Sequence, residues 1–222
     1  MRMILLGPPG AGKGTLAARL AESLSILHLA SGDILRSEIR QASDLGKTVQ
    51  QYLDSGQLAP DDIVVQVMVS RLSQPDCAGG YILDGFPRTL PQAQALDASL
   101  AEVESKIDLV IYMDVKVEVI ISRLAGRRIC PVCNASYHVE NIPPLVPGKC
   151  DRDEAKLQRR PDDNPQVIRT RLQQYHRLTQ PLLDYYAGQG RFYRLDGNQQ
   201  IDEIYQQAQE ILSKVVSSAD RR

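Results

Sequence analysis

Gly7-Pro8-Pro9-Gly10-Ala11-Gly12-Lys13-Gly14-Thr15, directly after the apolar run Met3-Ile4-Leu5-Leu6, decides how this chain is read. The apolar run signals a buried strand, and Leu16, Ala17 and Leu20 continue a helical stripe beyond the loop. A glycine-rich turn between strand and helix exposes successive backbone N–H groups. It also aims the positive end of a helix at whatever lies in the loop. Lys13 then reaches the outer phosphates of a nucleotide. Against the pattern G-x-x-x-x-G-K-[ST], Gly14 takes the hydroxyl position and Thr15 follows one step later. A glycine-rich turn without a ligand is the bland alternative; the strand, the helix and the lysine in place argue against it.

A second apolar run, Tyr81-Ile82-Leu83-Asp84, ends in an acid and leads to Gly85-Phe86-Pro87-Arg88-Thr89. An aspartate at the end of a strand in such a sheet is placed to hold Mg²⁺ or its waters beside the phosphates. Arg88 supplies a planar fork for a second phosphate group. Gly7–Thr15, Ser31-Gly32-Asp33-Ile34-Leu35-Arg36, Asp84–Thr89 and Gly126-Arg127-Arg128, taken in order, resemble the signature segments of the adenylate kinases. The resemblance is to the long bacterial form, whose lid carries a metal-binding knuckle, and it runs over essentially the whole chain.

At 222 residues the chain suits one domain with inserts, or one large and one small domain. A formal net charge of −1 with 24% charged residues carries no basic excess, so neither nucleic acid nor an anionic membrane is expected as a partner. Met1-Arg2-Met3 leads straight into the first strand, with no signal-peptide pattern, and no apolar run reaches bilayer length. A cytoplasmic protein is expected.

Strand-like runs at 3–6, 26–29, 81–84, 107–114 and 191–196 alternate with helix-like stretches, as in a parallel sheet covered on both faces. Asp61-Asp62 begins a helix with Ile63, Val64, Val67, Met68 and Leu72 on one stripe. Residues 164–187 and 201–216 read as longer amphipathic helices. Residues 115–121 alternate like a strand, whereas the resemblance implies a helix leading to Arg123. Two segments interrupt the alternation: 30–59, with helix signals around 34–41 and 48–53, and 127–164, rich in Cys and Pro with few core formers. The resemblance implies a core of residues 1–29, 60–126 and 165–222 built on a five-stranded parallel sheet. It makes 30–59 the nucleoside-monophosphate-binding domain and 127–164 the lid.

Cys130-x₂-Cys133, sixteen residues, then Cys150-x₂-Asp153 has the spacing of a small zinc ribbon. Two tight turns complete a tetrahedron, and four protein ligands leave no opening for a catalytic water, so the expected Zn²⁺ is structural. Zinc-bearing lids of the family often carry glycine after each pair, where this chain has Asn134 and Glu154-Ala155; Asp151 stands as the alternative to Asp153. Cys77 reads as a buried structural residue.

From Arg123 to Arg171 inclusive there are ten Lys/Arg against six Asp/Glu. Phosphoryl transfer between two nucleotides crowds negative charge around a loose transition state, and catalysis is mostly positioning and electrostatics. The acceptor is already an anion and needs no general base, so His28, His138 and His176 read as structural or solvent-facing. The resemblance implies that Gly10, Ala11, Gly12, Lys13, Gly14 and Thr15 hold the donor phosphates of ATP. It implies that Ser31, Arg36, Gly85, Phe86, Pro87, Arg88 and Gln92 hold AMP, with Gln57, Leu58 and Ala59 closing around its base. Arg123, Arg160 and Arg171 would clamp the transferring group, the latter two also touching AMP, while Arg127 reaches the donor. Ser136 and Tyr137 would lie over ATP, and the backbone near Gln199 against its adenine. Asp84 would organise Mg²⁺-bound water, and Asp162 and Asp163 would orient lid arginines. Arg128, Arg159 and Arg169 read as solvated charges. The expected reaction is Mg·ATP + AMP ⇌ 2 ADP by a monomer. A UMP/CMP kinase and a non-catalytic nucleotide sensor are the rivals.

Overall fold

A computed structural model describes residues 1–219. The order is β1 (Arg2–Leu6), α1 (Lys13–Leu24), β2 (Leu27–Ala30), α2 (Ser31–Arg40), α3 (Asp44–Ser55), α4 (Asp61–Leu72), β3 (Tyr81–Asp84), α5 (Leu90–Ala101), β4 (Leu109–Asp114) and α6 (Val117–Gly126). Then come β5 (Arg127–Ile129), β6 (Ser136–His138), α7 (Pro165–Gln174), α8 (Leu182–Ala187), β7 (Phe192–Asp196) and α9 (Ile201–Ala219). Five strands form one sheet in the order β2-β3-β1-β4-β7, every pair parallel.

Side chains alternate across a strand, so β1 sends Met3 and Leu5 to one core and Ile4 and Leu6 to the other. Helices α1, α6 and α9 cover the first face through Leu16, Leu20, Ile120, Leu124, Ile204 and Leu212. Helices α4, α5 and α8 cover the second through Val64, Met68, Leu96, Leu182 and Tyr186. Burial on both faces is why these strands read as continuous apolar runs. Register aligns Leu5 with Asp84 and Ala30 with Asp84, which brings the loops after β1, β2 and β3 to one edge. Open α/β sheets bind ligands at that edge.

The ambiguous stretch resolves in favour of a helix, because β4 ends at Asp114 and α6 starts at Val117. The long helix expected over 164–187 is instead three pieces. Residues Tyr175–Thr179 form a π-helical turn that points Tyr175 and Thr179 inward, and Pro181 precedes α8. Helices α2 and α3 cross closely at Gly46, where a Cβ would stand 2.2 Å from the Glu38 carbonyl oxygen. Residues 127–163 form an antiparallel hairpin, β5 with β6, and short turns around a small cluster of Cys130, Tyr137, Cys150 and Leu157. Among the described residues no helix is long and apolar enough to cross a membrane.

Candidate active site

The loop after β1 opens one wall of a cleft of about 1180 Å³. Gly10 has φ +81°, and a Cβ there would lie 2.7 Å from Leu124 Cγ, so glycine lets the loop pack against α6. Gly12, at φ +96°, turns the chain into α1. Lys13 Nζ donates to the carbonyls of Gly7 (2.8 Å) and Pro8 (2.9 Å), curling over its own loop. Burial lowers its pKa from 10.5 to about 8; Asp84 works upward, and Arg88, Arg171 and Arg127 work further downward.

A Cβ on Gly14 would stand 3.2 Å from Asp84 Oδ2. This close approach gives a physical reason for glycine where a hydroxyl residue is usual. Burial pushes the Asp84 carboxyl up, but His28, Lys13 and Arg88 outweigh it and hold the group below the ordinary carboxylate range. An ionised, half-buried carboxylate beside a glycine-rich loop suits a hydrated divalent cation. His28 Nε2 lies 3.4 Å from Asp84 Oδ2, so this histidine belongs to the cleft rather than to the solvent-facing set. His138 is buried and accepts from the backbone N–H of Glu140 and Asn141, whereas His176 is exposed and pairs with Gln180.

The other wall is built around Gly85, at φ +73°. Its carbonyl accepts from Ser31 Oγ (2.6 Å) and from Arg88 Nε (2.7 Å). A Cβ on Gly85 would come 2.8 Å from an Arg88 guanidinium nitrogen. The Arg88 backbone is pinned from both ends: its N–H donates to Gln92 Oε1 (2.8 Å), and its carbonyl accepts from Thr179 Oγ1 (2.8 Å). Arg36 donates to Asp33 Oδ1 at 2.5 Å, and Arg160 lies 3.7 Å from the same oxygen. Gln57, Leu58, Ala59 and Pro87 line this half, but Phe86 is fully buried in the core beneath it.

Between the walls the arginines converge. Arg171 donates to Asp162 Oδ2 (2.7 Å) and lies 3.6 Å from Asp163 Oδ1. Arg127 grips Asp163 with two bonds, Nε to Oδ2 at 2.7 Å and a second from Nη2 to Oδ1, and Asp163 has no exposed surface. Burial, with mutual repulsion, lowers the pKa of Arg88, Arg160 and Arg171, yet guanidinium stays protonated in proteins. The cleft is a desolvated cationic site that a polyanion would relieve. Arg123 is placed differently from the other clamp candidates. Its guanidinium donates to the carbonyls of Ala11 (3.0 Å), Gly197 (2.8 Å) and Gln199 (2.9 Å), tying the phosphate loop to the turn before α9. Sequence reasoning missed Thr179, whose only signal is its helix, and Asp61, read as a helix start.

Ser136 and Tyr137 line the cleft from the hairpin, Ser136 exposed and Tyr137 buried. Beyond them Cys130 Sγ, Cys133 Sγ, Cys150 Sγ and an Asp153 oxygen lie within 4.8 Å of one another. Cys133 and Cys150 sulfurs are 3.5 Å apart, and Cys130 Sγ is 3.2 Å from both Asp153 oxygens. Ligands 2.3 Å from a tetrahedral zinc stand about 3.8 Å apart, so the donor set fits that ion. Backbone N–H groups of Val132, Cys133 and Arg152 point at the sulfurs. Asn134 and Glu154, at φ +59° each, make the turns where the family often has glycine. Asp151 lies outside the cluster and accepts from the Leu145 N–H, so the carboxylate grouped with the three cysteines is that of Asp153. Arg128 and Arg159 bond to backbone carbonyls, while Arg169 is exposed. Cys77 is buried against Arg71.

Comparison with known proteins gives the family. The family model described as adenylate kinase matches residues 5–191. The adenylate kinase of Methanothrix thermoacetophila is 48% identical over 214 residues, covering 96% of this chain and 99% of the relative. Those of Clostridium kluyveri (45% over 215 residues; 97% and 99%) and Archaeoglobus fulgidus (44% over 217; 98% and 100%) are similar along the same span.

Proposed function

Since the chain belongs to the adenylate kinase family and is an enzyme transferring a phosphoryl group from ATP to AMP, we propose the following division of labour among its own residues. Residues 10–15 cradle the donor phosphates, and Lys13 gives up its two loop carbonyls to follow the transferring group. Arg88, pinned at both backbone ends, holds the acceptor phosphate with Arg36, Arg160 and Arg171. Arg127, released in part from Asp163, bridges toward the donor. Arg123 serves the donor from the side of Gln199, where the adenine would lie, with Ser136 and Tyr137 above it. Ser31, Gly85, Pro87, Gln92 and residues 57–59 surround AMP; Phe86 supports this wall from below.

Adenylate kinases use Mg²⁺ with ATP; the ion neutralises charge on the donor phosphates, and Asp84 is the residue that would hold it here. No general base is needed, since the attacking oxygen belongs to an ionised phosphate. The donor γ-phosphorus bond to the bridging oxygen breaks as a bond to the AMP phosphate oxygen forms, leaving two ADP. Segments 30–59 and 127–164 act as mobile units closing over the core, excluding water that would otherwise accept the phosphoryl group. Zinc on Cys130, Cys133, Cys150 and Asp153 staples the lid and takes no part in transfer. The working form is a cytoplasmic monomer.

The observation carrying this reading is the convergence of Arg88, Arg127, Arg160 and Arg171 between two walls, each able to hold one nucleotide. A passive nucleotide sensor has no use for that much desolvated charge. The test is ADP formation from ATP with AMP, UMP, CMP or GMP, for the wild type and Arg88→Ala. One charged clamp in a water-excluded site is worth several kcal/mol, so a loss of at least about 100-fold is expected with the fold intact. Retention of more than about a third of the activity would remove Arg88 from the reacting phosphate.

A further inference from the structure

Gln92, in the first turn of α5, is 1% exposed and borders the acceptor half of the cleft beside Arg88. A side-chain amide offers two N–H donors and an oxygen with two lone pairs. Here Oε1 accepts from the Arg88 backbone N–H at 2.8 Å, and Nε2 donates to Asp61 Oδ1 at 2.7 Å. Each partner works in one sense only: a backbone N–H can only donate, and a carboxylate can only accept. Turning the amide over would set its oxygen against the carboxylate and its N–H against another N–H. The polarity of Gln92 is therefore locked, with one N–H and one lone pair left unused in the wall. Asp61 opens α4 only two residues after Ala59, part of the segment that lines the same half of the cleft.

We propose that Asp61 is a specificity-determining positioning residue. By locking the Gln92 amide, it selects acceptor bases bearing an exocyclic amino group beside a ring nitrogen acceptor over bases bearing a carbonyl beside a ring N–H. The inference rests on the proposed placement of the AMP base next to Gln92. Adenine and hypoxanthine have nearly the same shape, but adenine presents N6–H and N1 where hypoxanthine presents O6 and N1–H. For a base held in one pose by its phosphate, an amide of fixed polarity pairs with one of these edges and opposes the other. A buried polar edge left unpaired is a stronger discriminator than shape.

The experiment compares AMP with IMP as acceptors for the wild type, Asp61→Asn and Asp61→Ala, with thermal melts of each. The wild type should prefer AMP. Asp61→Asn keeps an oxygen to accept from Nε2 and should hold that preference within about threefold; Asp61→Ala should lower the AMP/IMP ratio of kcat/KM by about tenfold or more, through KM for AMP rather than kcat. In a Gln92→Leu background the Asp61→Ala change should add nothing to the ratio. Three results would overturn the proposal: a folded Asp61→Ala variant with the wild-type ratio, an Asp61→Asn variant as unselective as Asp61→Ala, or an undiminished Asp61 effect without Gln92. If Asp61→Ala does not fold, Asp61→Ser, which keeps a polar residue at the start of α4 but is too short to reach Gln92 Nε2, takes its place in both comparisons. A wild-type enzyme that phosphorylated no AMP would instead strike the underlying reading.

Discussion

The Lys13 ammonium, half-buried, donates to the Gly7 and Pro8 carbonyls, and its pKa has fallen from 10.5 to about 8, through burial first. A polyphosphate in the loop brings several negative charges to that ammonium, so the nucleotide-bound enzyme should keep its proton up to pH 10. A group with a pKa of 8 is roughly one-tenth deprotonated at pH 7, half at pH 8 and nine-tenths at pH 9. Nucleotide binding should therefore take up about 0.1, 0.5 and 0.9 proton at those three values. The sign is fixed by the direction of the shift. Because the folded pKa is lowered, the unfolded chain holds more protons between pH 8 and 10.5. A burial penalty of about 3 kcal/mol, present below pH 8, is thus relieved across that window. Nucleotide affinity moves the other way and should weaken by up to about tenfold per unit above pH 8. The assay is titration calorimetry with a non-hydrolysable ATP analogue in buffers of different ionisation enthalpy. The terminal phosphate, with a pKa of about 6, is still roughly one-tenth protonated at pH 7 but fully ionised by pH 8, so the rise in uptake from pH 8 to 9 is the diagnostic span. Lys13→Met, at ligand concentrations that still saturate it, should show no uptake. Uptake that stays flat from pH 7 to 9, or persists at full size in the variant, would refute the reasoning.

Asp163→Ala should destabilise the protein by about 3 kcal/mol, since it leaves the half-buried Arg127 without its carboxylate and Arg171 with Asp162 alone; for a chain of this size that is a melting shift of roughly 6–12 °C. A loss below about 1 kcal/mol by urea titration would show that the pair only breaks even against its desolvation. Metal chelation, or Cys150→Ser, should lower the melting temperature while activity persists below the new transition, because the lid cluster has little apolar core of its own. Purified protein without stoichiometric zinc, or activity lost while circular dichroism is unchanged, would count against a structural metal. A molecule of two adenosines joined by a phosphate chain should bind at least about 100-fold more tightly than ATP, since it occupies both walls with one loss of translational freedom. Affinity equal to that of ATP would deny the two adjacent sites.

The strands, the phosphate loop, the acid and arginine after β3, and the paired cysteines were all legible because each is written in a short contiguous stretch. A buried parallel strand is an apolar run, a phosphate loop is a glycine spacing, and a knuckle is a ligand spacing. Asn134 and Glu154 showed where that legibility thins: both adopt the left-handed turn the family often gives to glycine, and only the backbone reveals it. Which of Asp151 and Asp153 stands beside the cysteines was likewise decided by where two carboxylates two positions apart point.

The amino-acid sequence by itself determined the chemistry available, namely a glycine-rich loop with its lysine, an acid and an arginine after β3, a set of further arginines, and three cysteines and an aspartate at knuckle spacing. Tertiary structure alone decided how those charges are shared out. Arg123 and Arg127 stand four residues apart, about one helical turn, yet the end of α6 sends one to the carbonyls of Ala11, Gly197 and Gln199 and the other to Asp163. Gln92 and Asp61, Arg88 and Thr179, and Gly14 and Asp84 meet only because parallel strands separated by whole helices end at one edge of the sheet. Spacing along the chain reports on a turn or a helix face; a hydrogen bond between residues 31 or 91 positions apart depends on the packing of every element between them.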